Sequence, residues 1–398
     1  VQQLFEDVER GAIDENYPTG TPGAMLDRFS ECKRMTVGLG DPSGVGPVES
    51  AIRSPTLGGC ASTTERINDW AQGGGLEQAY EYSRYWNGSA LVFRLGLVTV
   101  GVTGMRVLAA VALAGVVMLA WRGWSRLAGA AAASLMVAVI IGSTDFIDLP
   151  GALLHAVSWT VSLGAAALIA TIPPGAPARV AAWVLFVAGA ASLYLGDMAN
   201  PEAAWVLATG TAAMVAVSEV SGRPLASRTA LAGVAWIAGF AYMWCTKWLF
   251  GVVVYGLDRV RADIGGQIEE RLDGEHAGLE LGLWGGLDRT WDAWWSFPLT
   301  SVVVPAAVVI ALVLVARRGW DDARRTWLDR CIVAAPALIP LVWYAVLRNH
   351  TQVHAWFVYR SLPAALAVVL AAWTMNVRPR TSAPTSAPDD DAALSRVR

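Results

Sequence analysis

The chain has 398 residues, 55% apolar and 16% charged, with 19 tryptophans and a formal net charge of −3. Soluble domains carry roughly 25% charged residues, so this deficit, with a mean hydropathy of +0.43, points to a membrane protein. The acidic balance, with no basic stripe to offset it, excludes a nucleic-acid partner, and four cysteines are too few for a disulfide scaffold.

Residues 1–87 are polar, punctuated by Gly and Pro, and acidic: 13 acids face 7 bases over 1–86. The first residue is Val1 and no apolar run precedes residue 88, so the start reads as mature or trimmed. The segment is expected to lie outside the cytoplasm, with interfacial helices. Cys32 and Cys60 fall within it, and an extracytoplasmic compartment allows them to bridge; two unpaired thiols are the other reading. Most of its acids are solvated loop residues. Asp27 differs, lying between Ala24-Met25-Leu26 and Phe29, where apolar neighbours can raise its basicity. Asp7, Asp14, Glu15 and Glu31 are further carboxylate candidates. At the end of the segment Tyr80, Tyr82, Tyr85 and Trp86 can stack on sugar rings or form an interfacial belt.

The region 88–376 is expected to be a bundle of transmembrane helices. A span needs about 20 mostly apolar residues, and runs near that size lie at about 103–121, 127–143, 151–172, 180–196, 202–219, 229–255, 299–316, 331–347 and 361–376. About nine spans follow. The stretch 88–102 is interrupted by Arg94 and followed by Arg106, which predicts an interfacial or re-entrant helix.

The connections alternate in charge. One set carries Arg122, Arg126, Arg179, Arg223, Arg228, Arg317, Arg318, Arg324, Arg325, Arg330, Arg378 and Arg380, where arginines far outnumber acids. The other set comprises 1–86, the turn holding Asp145 and Asp148, Asp197 to Glu202, 257–296 with 9 acids against 4 bases, and 348–360. Positive loops stay in the cytoplasm, so the acidic set is expected outside. The second half of 257–296, with Trp284, Trp291, Trp294 and Trp295, predicts an amphipathic helix on the outer leaflet. Residues 377–398 are rich in Pro, Ser and Thr and then acidic, a disordered cytoplasmic tail.

Charges in apolar runs are costly and usually face a cavity or a partner. Lys247, in Trp244-Cys245-Thr246-Lys247-Trp248, is expected either to snorkel to the headgroups or to reach a phosphate, with Asp145 or Asp148 as its structural partner. The densest polar cluster is Arg348 to Arg360. His350 and His354 are four apart and share a face on a helix. They can hold a divalent cation, yet no HExxH glutamate or third ligand accompanies them. No cofactor is expected. Arginine forks and histidine N–H groups suit a phosphate, while Trp356, Phe357 and Tyr359 favour interfacial packing.

Five stretches occur in order: Leu26-Asp27-Arg28-Phe29-Ser30-Glu31, Tyr82-Ser83-Arg84-Tyr85-Trp86-Asn87-Gly88, Ser143-Thr144-Asp145-Phe146-Ile147-Asp148, Trp244 to Trp248, and Asn349 to Arg360. Together, over about residues 17–376, they resemble bacterial polytopic membrane proteins of the plasma membrane, some tied to cell-surface polysaccharide genes. That group in turn resembles the GT-C superfamily of membrane glycosyltransferases. The resemblance implies a GT-C-like, inverting enzyme of envelope glycan assembly. It would take sugar from a polyprenyl-phosphate donor, pass it to a glycan or lipid-linked acceptor, and work against membrane lipid at the extracytoplasmic face. It implies an acid of the first outer loop as base, hence Asp27 aided by Glu31. The donor phosphate would lie among Lys247, Arg348, His350, His354, Tyr359, Arg360, Arg84, Tyr85, Trp86, Asp145 and Asp148. The layout also places a helix before that loop, which this sequence lacks. A transporter or flippase of lipid-linked saccharides and a non-catalytic envelope scaffold are the alternatives; the long acidic outer segment favours the enzyme over a pathway.

Overall fold

The structure, a computed structural model, describes residues 34–37, 46–56, 80–273, 282, 284–318, 324 and 326–377. Asp27, Glu31, Cys32, Cys60 and the tail beyond Val377 lie outside the described residues.

The described chain is almost wholly helical. A short helix, α1 (Pro47–Arg53), leads into a two-residue antiparallel ladder of β1 (Pro55–Thr56) with β2 (Tyr80–Glu81). The apolar helix α2 (Ser89–Thr99) stops at Val100, and Gly101, at φ 66°, turns the chain into α3 (Gly101–Ala128). Next come α4 (Ala130–Gly142), a 3-10 turn (Phe146–Gly151), α5 (Leu153–Ala170), α6 (Ala178–Gly196), α7 (Pro201–Val217) and α8 (Gly222–Tyr255). Helix α9 (Leu257–Ile268) runs into a π-turn (Glu269–Asp273), followed by α10 (Gly285–Ser296) and α11 (Thr300–Arg318). The chain then forms α12 (Trp327–Ala334), a 3-10 turn (Ala335–Leu338), α13 (Ile339–Val346), α14 (Arg348–Val353), α15 (Ala355–Val358) and α16 (Ser361–Thr374).

Among the described residues, seven helical segments are long and apolar enough to cross a membrane: α3, α5, α6, α8, α11, Trp327–Val346 and Ala355–Thr374. The chain is therefore an all-α polytopic membrane protein. The other two of the nine expected runs form α4, of 13 residues, and α7, of 17. At 1.5 Å per residue these reach about 20 and 26 Å, short of a hydrocarbon core of about 30 Å. Nearly every residue of α7 is buried, packed among α5, α6, α8 and α16. A helix sheathed in protein need not match the lipid.

Several expected boundaries move. Arg122 and Arg126 lie within α3, and Arg223 and Arg228 lie within α8, rather than in loops. Each extends the apolar run at a charged end that the membrane surface tolerates. The 331–347 run is broken into three pieces where Pro336 and Pro340 remove backbone donors.

Close packing between α6 and α8 rests on glycine. A Cβ on Gly189 would strike the Trp236 carbonyl, and one on Gly239 the Phe186 carbonyl, so the two backbones touch as small residues permit in membranes. The bundle's middle is apolar, filled by Trp124, Met136, Trp159, Leu163, Leu207 and Val368. At the arginine end, buried Arg330 donates Nη1 to the carbonyls of Ala372, Trp373 and Met375 at 2.8–3.0 Å. This satisfies the last turn of α16, where a cation is favoured.

Candidate functional site

The other end of the bundle gathers the acidic connections, which are distant in sequence. Ser143 accepts from Trp294 Nε1 at 3.1 Å, Arg34 pairs with Asp197, the Gly88 N–H donates to Tyr194 O at 2.9 Å, and Asn349 Nδ2 donates to Glu270 O at 3.1 Å.

The deepest part of this end is built on Arg360. Its Nε donates to Asp145 Oδ1 at 2.7 Å and its Nη2 to Oδ2 at 2.6 Å. Tyr359 Oη donates to the same Oδ1 at 3.0 Å and accepts the Asp145 N–H at 3.2 Å. Arg360 Nη1 lies 3.0 Å from His155 Nδ1. A guanidinium only donates, so His155 Nδ1 accepts and the ring hydrogen sits on Nε2. Asn200 Nδ2 approaches the same nitrogen at 3.4 Å. Glu202, in the first turn of α7, is wholly buried, and neither of its carboxylate oxygens has a hydrogen-bond partner. It feels the charge of Arg360 and lies at a helix N-terminus that favours an anion.

A shallower cluster lies over it. The His350 and His354 rings are 4.6 Å apart, His354 is 5.2 Å from Phe357, and Phe357 is 5.0 Å from His155. This aromatic chain joins the two levels. His350 lies between the spanning segments and is buried. Burial first, then the positive fields of His354, Arg271 and Arg84, holds its pKa well below the ordinary histidine value, so its imidazole is neutral. Arg84, half-buried, approaches Gln267 Oε1 at 3.5 Å and Glu270 Oε2 at 3.9 Å, and lies over the Tyr82 ring. Tyr85 accepts from Arg271 at its hydroxyl. Arg348 is half-buried at the start of α14.

Lys247 has a different environment. Its Nζ donates to Ile52 O at 2.7 Å and Ala51 O at 3.1 Å, above the Trp86 ring at 5.2 Å. The amine therefore holds the last turn of α1. Asp145 is not its partner as expected, because Arg360 engages both carboxylate oxygens of Asp145. Asp148 is exposed on the 3-10 turn. Trp86 donates to Met243 O at 2.9 Å, tying the aromatic stretch to α8. Among the described residues, no group of three or more His, Cys, Asp or Glu converges as metal ligands.

Three members of this end were not singled out in the sequence. His155 looks like an ordinary polar residue in an apolar run, Glu202 like a solvated first-turn acid, and Arg271 like one charge in a mixed loop. No family model matches this chain, and no curated protein or solved structure is significantly similar to it.

Proposed function

We propose that the chain is a GT-C-like membrane glycosyltransferase. It takes a sugar from a polyprenyl-phosphate donor at the extracytoplasmic face of a bacterial plasma membrane and transfers it to a glycan or lipid-linked acceptor in envelope assembly. The observation that supports this reading is the gathering of Arg84, Arg348, His350, His354 and the Asp145–Arg360 pair at one end of an apolar bundle. In it, all nine apolar runs cross, the arginine-rich end faces the cytoplasm, and the N-terminal segment lies outside.

The acceptor hydroxyl attacks the anomeric carbon, and the bond from that carbon to the phosphate oxygen breaks. The hydroxyl proton passes to a carboxylate, and the phosphate leaves with the electron pair, stabilised by cations. Asp27, aided by Glu31, is the proposed base. Asp145 is unsuited to that role, since Arg360 and Tyr359 occupy its oxygens. Lys247 belongs to the architecture of the site rather than to the phosphate, because α1 carbonyls hold its amine. The apolar middle of the bundle favours an enzyme at one face over a flippase, which needs a polar path across.

The test is transfer by the purified chain in nanodiscs supplied with polyprenyl-phosphate sugars and an envelope glycan acceptor. Release of polyprenyl phosphate coupled to acceptor extension supports the reading, with Asp27→Asn slower by on the order of 10²-fold or more. No turnover with any donor, by protein that is folded and lipid-embedded, rejects it.

A further inference from the structure

Arg271, on the π-turn after α9, is 7% exposed. Its guanidinium carbon is 5.6 Å from the Tyr85 ring centre and 5.7 Å from that of Trp244. One terminal nitrogen donates to the Tyr85 hydroxyl, while the other, Nη1, is buried with no hydrogen-bond partner. Among the described residues no carboxylate pairs with it. A buried cation without a counter-ion is among the most costly arrangements a fold can hold, and buried orphaned donors are rare. Two more unpartnered buried nitrogens belong to its neighbours. Trp244 Nε1 has no partner, and neither does Nε2 of His350, whose ring feels the charge of Arg271. The bond from Asn349 to the Glu270 carbonyl fixes α14 against the π-turn, holding His350 and Arg271 in one unit.

We propose that Arg271, with the N–H groups of Trp244 and His350, binds the phosphate of a lipid-linked phosphate ester. Arg271 Nη1 and Trp244 Nε1 are donors around a fixed positive charge, and the neutral His350 imidazole donates from Nε2 in its Nε2–H tautomer. A phosphate supplies both the missing charge and several acceptor oxygens. The flat guanidinium between two aromatic faces suits that oxyanion better than a lysine amine would. This deepens the function proposed above and rests on it for the identity of the ester, the polyprenyl phosphate of the donor.

The experiment measures binding of polyprenyl phosphate to the full chain in nanodiscs by intrinsic tryptophan fluorescence. Neutral polyprenol and inorganic phosphate form separate arms. Wild type is expected to bind polyprenyl phosphate and not polyprenol. Arg271→Gln should bind at least tenfold more weakly, Arg271→Lys between the two, and Arg259→Gln, at an exposed pair with Glu81, like wild type. Equal binding by wild type and Arg271→Gln overturns the site, as does equal binding of the alcohol and the phosphate. Inorganic phosphate bound without polyprenyl phosphate overturns the lipid source. Should Arg271→Gln not fold, Arg271→Lys is decisive, and affinity equal to wild type overturns the site. Arg271-dependent binding without any sugar transfer would reject the transferase and keep the phosphate site. Sugar transfer with an unchanged KM in Arg271→Gln would reject the site and keep the transferase.

Discussion

Arg360 clasps Asp145 with two parallel hydrogen bonds of 2.7 and 2.6 Å, although the residues are 215 apart in sequence and both are buried. The pair joins the 3-10 turn before α5 to the start of α16, and Tyr359 and His155 complete its hydrogen bonds. Removing one partner leaves the other charged and unpaired, so Asp145→Ala is expected to destabilise the fold by about 3–5 kcal/mol. Replacing both at once with apolar residues of similar volume should cost much less. Thermal unfolding in detergent measures both; equal losses in the single and double variants would contradict the pairing.

Lys247 is predicted to anchor α1. Its amine donates charge-assisted bonds to two carbonyls, each worth about 1.5–3 kcal/mol. Lys247→Met should therefore raise hydrogen exchange over 46–56 while leaving α5 and α7 protected. Unchanged exchange there, with lost binding of polyprenyl phosphate, would return Lys247 to the phosphate.

His350 makes stability depend on pH. Its folded-state pKa lies well below the ordinary value, through burial and the fields of His354, Arg271 and Arg84, so the unfolded chain takes up the proton first. Stability is then level above about pH 6.5 and falls as pH drops below that, by up to about 1.4 kcal/mol per pH unit. His350→Gln should flatten this part of the curve, as read from melting temperature between pH 7.5 and 5.5. An identical slope in the variant would show that His350 titrates alike in both states.

Orientation is tested by cysteine labelling in intact cells. A thiol-free background removes Cys245, which is exposed, Cys331, Cys32 and Cys60. Gly265 on α9 has open space for a side chain, and Ser218, at the arginine end, is exposed. Gly265→Cys should react with an impermeant maleimide and Ser218→Cys only after permeabilisation; the reverse pattern inverts the topology.

The spanning helices were legible because apolar length and loop charge are local properties. Each expected run coincides with a helix or a broken helix, and the stretch interrupted by Arg94 forms a separate short apolar helix, α2, which carries Arg94 within it and ends at Val100 before α3. The shortness of α4 and α7 was less visible, since burial by neighbours, not composition, relieves them of matching the lipid. Of the site, His350 with His354 and Tyr359 with Arg360 stood out as polar residues clustered in one apolar stretch. The partnership of Arg360 with Asp145 and His155 was not legible, because it depends on which turns meet across the bundle. The role of Lys247 was hidden for another reason: its partners are backbone carbonyls, which every sequence supplies.

The most direct test of the donor site is a density map of the full chain in nanodiscs containing polyprenyl phosphate. Phosphate density is predicted within hydrogen-bonding distance of Arg271 Nη1 and near His350 and Trp244, with the lipid tail leaving between helices. Phosphate density instead in the cavity of about 710 Å³ at the opposite end, lined by Arg126, Thr326 and Asp329, would contradict the account.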